Sequence, residues 1–280
     1  MAILLEDLAG YGIVLTPPTQ IAPADQPIGD AVLHNRSQVA IASLAYIWVF
    51  SNRNGRTRRH NFLPGTNPSV LLPFNLPEPA RKIHAFWNTI FPGSKRVMTS
   101  RGTLLGDNCD VRPPAEYELR KGGSFGFGGG STSSEPAEPL KLMLDGVFFL
   151  DGGFAGPNRL GSWEHTVFAA EAYGEWAFLA REAGARGTSP SAFFERALSL
   201  SEQTDDGRLP PPPPPSRESV PPDPEPIRKH ERQWVKHQIL NMRKIMGDQD
   251  TMARVRAWAD APVPRFHKLP EVGRQETAPC

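Results

Sequence analysis

The sequence predicts an α+β fold in which an antiparallel, immunoglobulin-like β-sandwich is followed by a C-terminal helical cover and a proline-linked helix. Short extended runs, separated by turns rich in proline, glycine and asparagine, recur up to residue 157. From residue 158 the apolar residues follow helical spacing. A run of six prolines at 210–215 then separates a last basic segment from the rest of the chain.

The composition limits the classes of function. The chain has 280 residues and is 39% hydrophobic, so it can bury a core. Its 31 basic and 30 acidic residues leave a net charge of +1, which excludes a whole-protein electrostatic attraction to nucleic acid or to an anionic membrane. The 30 prolines and 25 glycines indicate that much of the chain is turn, loop or linker.

Changes in composition divide the chain into six segments. They are an irregular N-terminal segment (1–29), a β-sandwich domain with a flexible Gly/Ser loop at 121–139 (30–157), a helical cover (158–203), a proline-rich linker (204–226), a basic amphipathic helix (227–261) and a disordered tail (262–280). The Gly/Ser loop contains too little apolar surface to offset the entropy of ordering it. The proline run would span about 19 Å as a polyproline II rod, and it serves either as a spacer or as a ligand for a groove-type domain.

The first strong signal lies at 30–50, where from residue 39 onward apolar side chains occupy both alternating faces, as in a central strand covered on each side. The Asn54-Gly55 pair predicts a hairpin turn, after which 56–62 returns antiparallel. Further strands are predicted at 70–72, 82–91, 96–105 and 116–119. A helix over 78–87 is an alternative to the strand at 82–91.

A second hairpin is predicted near two Asp-Gly pairs that compete for the turn. We favour one strand over 140–150 and a turn at 151–152. With that turn, residues 154–155 can pair back on residues 147–148.

At this hairpin the chain resembles a group of uncharacterised bacterial proteins in which a β-domain ends in a Phe-x-Asp-Gly-x-x-x-Gly-Pro hairpin and a helix follows at once. The similarity covers about residues 30–200. It implies a shared fold and no known activity, because the motif specifies turns and no chemistry. The matching residues are Phe149, Asp151, Gly152, Gly156 and Pro157.

Two helices are predicted after this hairpin. The first has Ser162 as its N-cap and Glu164 in its first turn, and it ends at Gly184 or Gly187. It is apolar nearly all round, which is typical of a helix buried between other elements. The second helix extends over 191–201, after a Ser-Pro pair.

The basic amphipathic helix is the candidate binding element. Val235, Ile239, Met242 and Met246 form a narrow apolar stripe surrounded by basic residues. Such a helix suits an acidic partner, a helix-binding groove or a membrane surface. Alternatively, the stripe folds back on the body and the charges are solvated. The candidate partner-binding residues are Arg228, Lys229, Arg232, Trp234, Lys236, Arg243 and Lys244.

No motif indicates catalysis, a cofactor or a metal. Ser124 matches Gly-x-Ser-x-Gly literally, but the glycines after it cannot begin the helix that this nucleophile motif requires. Asp145 and Asp151 lack the spacing and the closing glutamate of a calcium loop, so turn formation explains them. His230 and His237 lie two helical turns apart, too far for one ion, and we expect both to be solvated.

We therefore expect a non-enzymatic interaction or scaffold protein of unknown process, with an unknown protein partner. The alternatives are a hydrolase-like enzyme with a loop nucleophile or carboxylate and a peripheral membrane protein. A nucleic-acid partner is disfavoured by the net charge. The acidic start and the lack of a long apolar stretch give a cytoplasmic location by default, or secretion if the true start differs. A disulfide between Cys109 and Cys280 is disfavoured, since it would tie a loop to a frayed terminus.

Overall fold

The computed structural model describes residues 3–17, 31–51, 57–62, 89–98, 104–105, 138–199, 223–260 and 265–272. The chain divides into two compact units. The sheet unit holds the described residues up to Pro157 together with 265–272, and the helical unit holds 158–199 and 223–260. The sheet unit is therefore built from two stretches of sequence that flank the helical unit.

The sheet unit contains ten strands among its described residues. They are β1 (Leu4–Glu6), β2 (Ile13–Thr16), β3 (Ala31–Asn35), β4 (Ile41–Ser51), β5 (Thr57–Phe62), β6 (Lys95–Met98), β7 (Leu104–Leu105), β8 (Glu138–Phe149), β9 (Gly153–Ala155) and β10 (His267–Lys268). The larger sheet has the strand order β10-β9-β8-β4-β5, and β1 also pairs with β8. The smaller sheet has the order β2-β3-β6-β7 and is antiparallel throughout.

The predicted antiparallel sandwich of immunoglobulin type is wrong. The larger sheet is mixed, because β1 is parallel to β8 and β10 is parallel to β9. Both parallel strands lie in segments predicted to be irregular or disordered, and β2 also lies in the first of these. Strands of three and two residues are too short to show an alternating pattern, and their pairing depends on strands far away in the sequence. Local sequence therefore could not reveal them.

Both sheets line one hydrophobic core within the sheet unit. Leu44 and Trp48 of β4, Val147 of β8 and Leu33 of β3 all belong to it. Ala45, on the alternate face of β4, is fully buried as well. The prediction of a central strand covered on both faces is therefore confirmed for β4, whereas 31–35 of the same predicted run form β3 of the smaller sheet.

The two predicted hairpins have the expected pairing. β5 pairs antiparallel with β4 from Ser51↔Thr57 onward. In the second hairpin, Val147 pairs with Ala155 and Phe148 pairs with Phe154, as the turn at 151–152 predicts. Gly156 follows β9 with φ 129°, a conformation that other residues rarely adopt.

The helical unit contains three helices among its described residues: α1 (Ser162–Ala185), α2 (Pro190–Ser199) and α3 (Pro224–Ala257). The N-cap of α1 is Gly161, so the prediction that Ser162 caps this helix is wrong. Asn158 supplies the capping acceptor: its Oδ1 accepts a hydrogen bond from the Trp163 backbone N–H at 2.9 Å. A side chain three residues upstream of Gly161 therefore satisfies a free N–H at the start of α1.

The helix α3 covers most of the segment predicted as a basic amphipathic helix. Its N-cap is Asp223, whose carboxylate accepts from the Glu225 backbone N–H at 3.1 Å. Gly247 interrupts the helix with φ 80° and ψ 172°. A short 3₁₀ turn, Trp258–Asp260, follows α3.

Several predicted elements lie wholly or partly outside the described residues. They are the turn at 54–55, the strands at 70–72 and 116–119, most of the strand at 82–91, the loop up to residue 137 and the proline run at 210–215.

Among the helices that the structure does describe, none is both long enough and apolar enough to cross a membrane.

Candidate functional site

The first two arginines of the predicted partner-binding segment are engaged inside the helical unit. The Arg228 guanidinium lies 4.3 Å from the centroid of the Phe168 ring and donates to Glu225 Oε1 at 2.6 Å. Arg232 donates to Glu175 Oε1 at 2.6 Å. Because α1 supplies Phe168 and Glu175, these arginines join α3 to α1. Their charges are partly neutralised by the carboxylates they contact.

The third arginine joins α3 to α2. Arg243 donates to both carboxylate oxygens of Asp248, at 2.6 and 3.1 Å, and its guanidinium lies 5.2 Å from the centroid of the Phe194 ring. Ser191 Oγ donates to the same carboxylate at 2.8 Å. The hydrogen bond from Arg243, and then the one from Ser191, hold the pKa of Asp248 below its usual value.

The predicted aromatic anchor, Trp234, is half-buried. Its indole Nε1 is buried and has no hydrogen-bond partner in the part of the chain that the structure describes. The centroid of its ring lies 6.4 Å from that of His237, which is exposed. Trp234 therefore does not present its ring to a partner as a freely exposed side chain would.

The three lysines differ from the arginines. Lys229 and Lys244 are exposed and Lys236 is half-buried. None of them forms an ion pair with any residue that the structure describes. At about 100° per residue, the three lie within about 80° of the helix circumference, opposite the buried Ile227 and Val235. We call Lys229, Lys236 and Lys244 the lysine face.

A buried polar pair connects α1 and α3 on the other side of α3. His165 Nδ1 lies 2.6 Å from Glu231 Oε1, and the two side chains are only 6% and 0% exposed. Buried ionisable groups are costly unless they are paired. The pair therefore holds at least one proton between its nitrogen and oxygen atoms.

The surroundings of this pair leave Glu231 incompletely satisfied. Its second oxygen, Oε2, has no hydrogen-bond partner among the described residues. Burial raises the pKa of the Glu231 carboxyl, and the hydrogen bond with His165 offsets part of that rise. The ring of His230 stands edge-on to that of His165, with centroids 6.0 Å apart.

The sequence analysis missed this pair. His230 was predicted to be solvated with His237, but His230 is only 7% exposed, and only His237 lies on the surface. A usable signal was present: Ile227, Glu231 and Val235 follow each other at intervals of four, so the glutamate lies within the apolar stripe of α3.

The other chemical candidates remain without a site. Ser124 lies outside the described residues. Asp151 Oδ1 accepts from the Gly153 backbone N–H at 2.9 Å, as expected of a turn residue. In the described part of the chain, no three His, Cys, Asp or Glu side chains are grouped so that they could hold a metal ion.

Comparison with known proteins adds no further assignment. No protein-family model matches this chain, and neither curated proteins nor solved structures give a significant match.

Proposed function

We propose that this chain is a non-enzymatic interaction protein that binds an acidic surface of a partner protein through the lysine face of α3. One observation carries the proposal. Arg228, Arg232 and Arg243 of α3 are held by carboxylates of the helical unit, whereas the three lysines of the same helix have no such partner among the described residues. Their charges are therefore available to a partner.

The dimensions of the lysine face suit a protein surface. Lys229 and Lys244 are separated by 15 helix positions, which correspond to about 22 Å along the axis. A row of this length can meet several carboxylates of one partner. Exposed charge pairs contribute little individually but determine orientation and the rate of association together.

A membrane surface is a weaker alternative. A helix that lies on a membrane inserts its apolar face, but the apolar residues Ile227, Val235 and Ile239 are all buried inside the protein. Nucleic acid is also disfavoured, because three lysines neutralise few phosphates and the whole chain carries a net charge of only +1.

The test measures binding of a fluorescently labelled oligoglutamate peptide to the full chain by anisotropy. We expect saturable binding that weakens as salt is added, because exposed charges are screened. The triple variant K229Q/K236Q/K244Q should weaken binding at least about tenfold. Phosphatidylserine vesicles and single-stranded DNA serve as competing probes.

A second triple variant controls for the loss of net charge. K95Q/R186Q/R265Q removes three positive charges from exposed residues elsewhere in the chain. It should change binding by less than about twofold, since long-range attraction depends on total charge whereas contact depends on position. The proposal fails if the two variants weaken binding equally, if oligoglutamate does not bind, or if vesicles or DNA bind more tightly than the peptide.

A further inference from the structure

The pair formed by His165 and Glu231 differs from seven ion pairs that lie at the surface of the described part of the chain. In each of those seven pairs, both side chains are at least 26% exposed. Exposed pairs contribute little to stability and respond weakly to protonation. A buried pair has a large effect, because an uncompensated charge inside a protein is costly.

We propose that His165 and Glu231 form a proton-dependent clasp between α1 and α3, which holds while the pair carries one proton in addition to that of the neutral imidazole and loosens when this additional proton is lost. With the proton present, the pair carries no net charge, whether as an ion pair or as two neutral groups. Its loss leaves a carboxylate that is fully buried, with Oε2 unpartnered among the described residues.

The neighbouring charged groups of the helical unit are already engaged. On α3, Arg228 is held by Phe168 and Glu225. On α1, Glu164 Oε2 accepts from the side-chain amide of Asn158 at 2.6 Å.

Two more groups lie near the clasp. Arg232 of α3 is paired with Glu175 of α1. His230 is the remaining titratable neighbour in the described part of the helical unit, with its ring edge-on to that of His165. It therefore needs its own control.

The direction of the effect follows from linkage. Because burial raises the pKa of Glu231, the folded protein holds this proton at a pH where the unfolded chain has released it. The resulting stabilisation is complete below the ordinary carboxyl pKa and is lost as the pH rises through the raised value. The clasp therefore loosens towards alkaline pH.

Hydrogen exchange of the full chain tests the clasp. We expect exchange of the α3 amides, corrected for the intrinsic rate, to increase at least about tenfold between about pH 4.5, the ordinary carboxyl pKa, and about pH 8.5. The Glu231→Gln variant keeps a hydrogen-bonding side chain of the same size without a titrating proton, and its increase should be below about twofold. The His230→Gln variant should retain the response of the wild type.

A second measurement uses the wild-type protein and so does not depend on whether a variant folds. In the wild-type protein labelled with ¹³C, the Glu231 carboxyl carbon should titrate above the ordinary carboxyl range, and the amide signals of α1 and α3 should shift with it. The clasp is refuted if this carbon titrates normally, if its titration leaves α3 unaffected, if Glu231→Gln keeps the pH response, or if His230→Gln abolishes it.

Discussion

The sheet unit and the helical unit bury polar side chains in different ways, as Asn35 and Glu231 illustrate. Asn35 is fully buried, and its amide nitrogen donates to the carbonyls of Val39 and Ile90 at 3.0 and 2.9 Å. Its oxygen accepts from both the backbone and the hydroxyl of Ser37. Glu231 is equally buried but has only one of its oxygens hydrogen-bonded to a described residue.

This difference indicates that the hydrogen bonds of Asn35 are fixed by geometry, whereas the pair formed by His165 and Glu231 depends on a proton. An uncharged amide with all its hydrogen bonds made responds little to pH, but a carboxyl with an unsatisfied oxygen changes its energy when it ionises. In the sheet unit, backbone strain and lost hydrogen bonds should therefore determine how a substitution changes the free energy of unfolding. In the helical unit, side-chain packing and helix propensity should determine it.

The largest effect is expected for Gly156→Ala in the sheet unit. A Cβ at this position would lie 2.5 Å from the Asp145 carbonyl oxygen, in a backbone with φ +129°. We expect a loss of about 4 kcal/mol in the free energy of unfolding, measured with urea and circular dichroism. Gly93→Ala is the control, because it has φ +78° but open space around the Cβ, and it should cost only about 1 kcal/mol. Equal losses would show that the close approach contributes nothing.

The next effect tests the packing of α3 in the helical unit. Ile239 is 0% exposed and Ile245 is 86% exposed on the same helix. Ile239→Ala should cost about 3 kcal/mol in urea unfolding, because it leaves a cavity. Ile245→Ala should stay within about 0.5 kcal/mol of the wild type. A small effect of Ile239→Ala would mean that α3 is not held by its apolar face.

An intermediate effect is expected for Asn35→Ala. The substitution removes the amide that donates to the carbonyls of Val39 and Ile90, so the free energy of unfolding should fall by about 2 kcal/mol. Ser37→Ala removes one hydroxyl of the same network and should cost about half of that, or about 1 kcal/mol. If the loss for Asn35→Ala were strongly pH-dependent, the contrast between the two units would not hold.

The smallest expected effect is an increase in the stability of the helical unit. Gly174 is exposed within α1, and a Cβ built on it meets nothing within 4 Å. Gly174→Ala should raise the thermal midpoint through a stabilisation of about 1 kcal/mol, because alanine favours the helix. Calorimetry measures this shift, and a decrease would mean that α1 needs a flexible position there.

The elements that the sequence predicts correctly have local signals. Alternating apolar residues predict β4, and the Asp-Gly turn determines the pairing of Phe148 with Phe154. β1 and β10 have no such signal, because short strands gain their stability from partners far away in the sequence. This is why the predicted class of sheet is wrong although its central strands are right.

For the candidate site, the sequence indicates the basic residues but not their pairing. The packing of α1 against α3 determines which basic residues form ion pairs. Arg232 pairs with Glu175, whereas Lys236 pairs with no described acid. The basic residues near Glu231 in sequence conceal the fact that its side chain is buried. Only its spacing from Ile227 and Val235 indicated the interior.

The pairing of β10 with β9 has a consequence for the order in which the protein matures. Ribosomes release the chain from its N-terminal end, and domains generally form as they emerge. The hydroxyl of Tyr11 donates to the carbonyl of Pro270 at 3.1 Å, across 259 positions of sequence. The region around Tyr11 must therefore wait until the region around Pro270 has been synthesised, and until then β9 has an open edge at which a nascent chain is prone to aggregate.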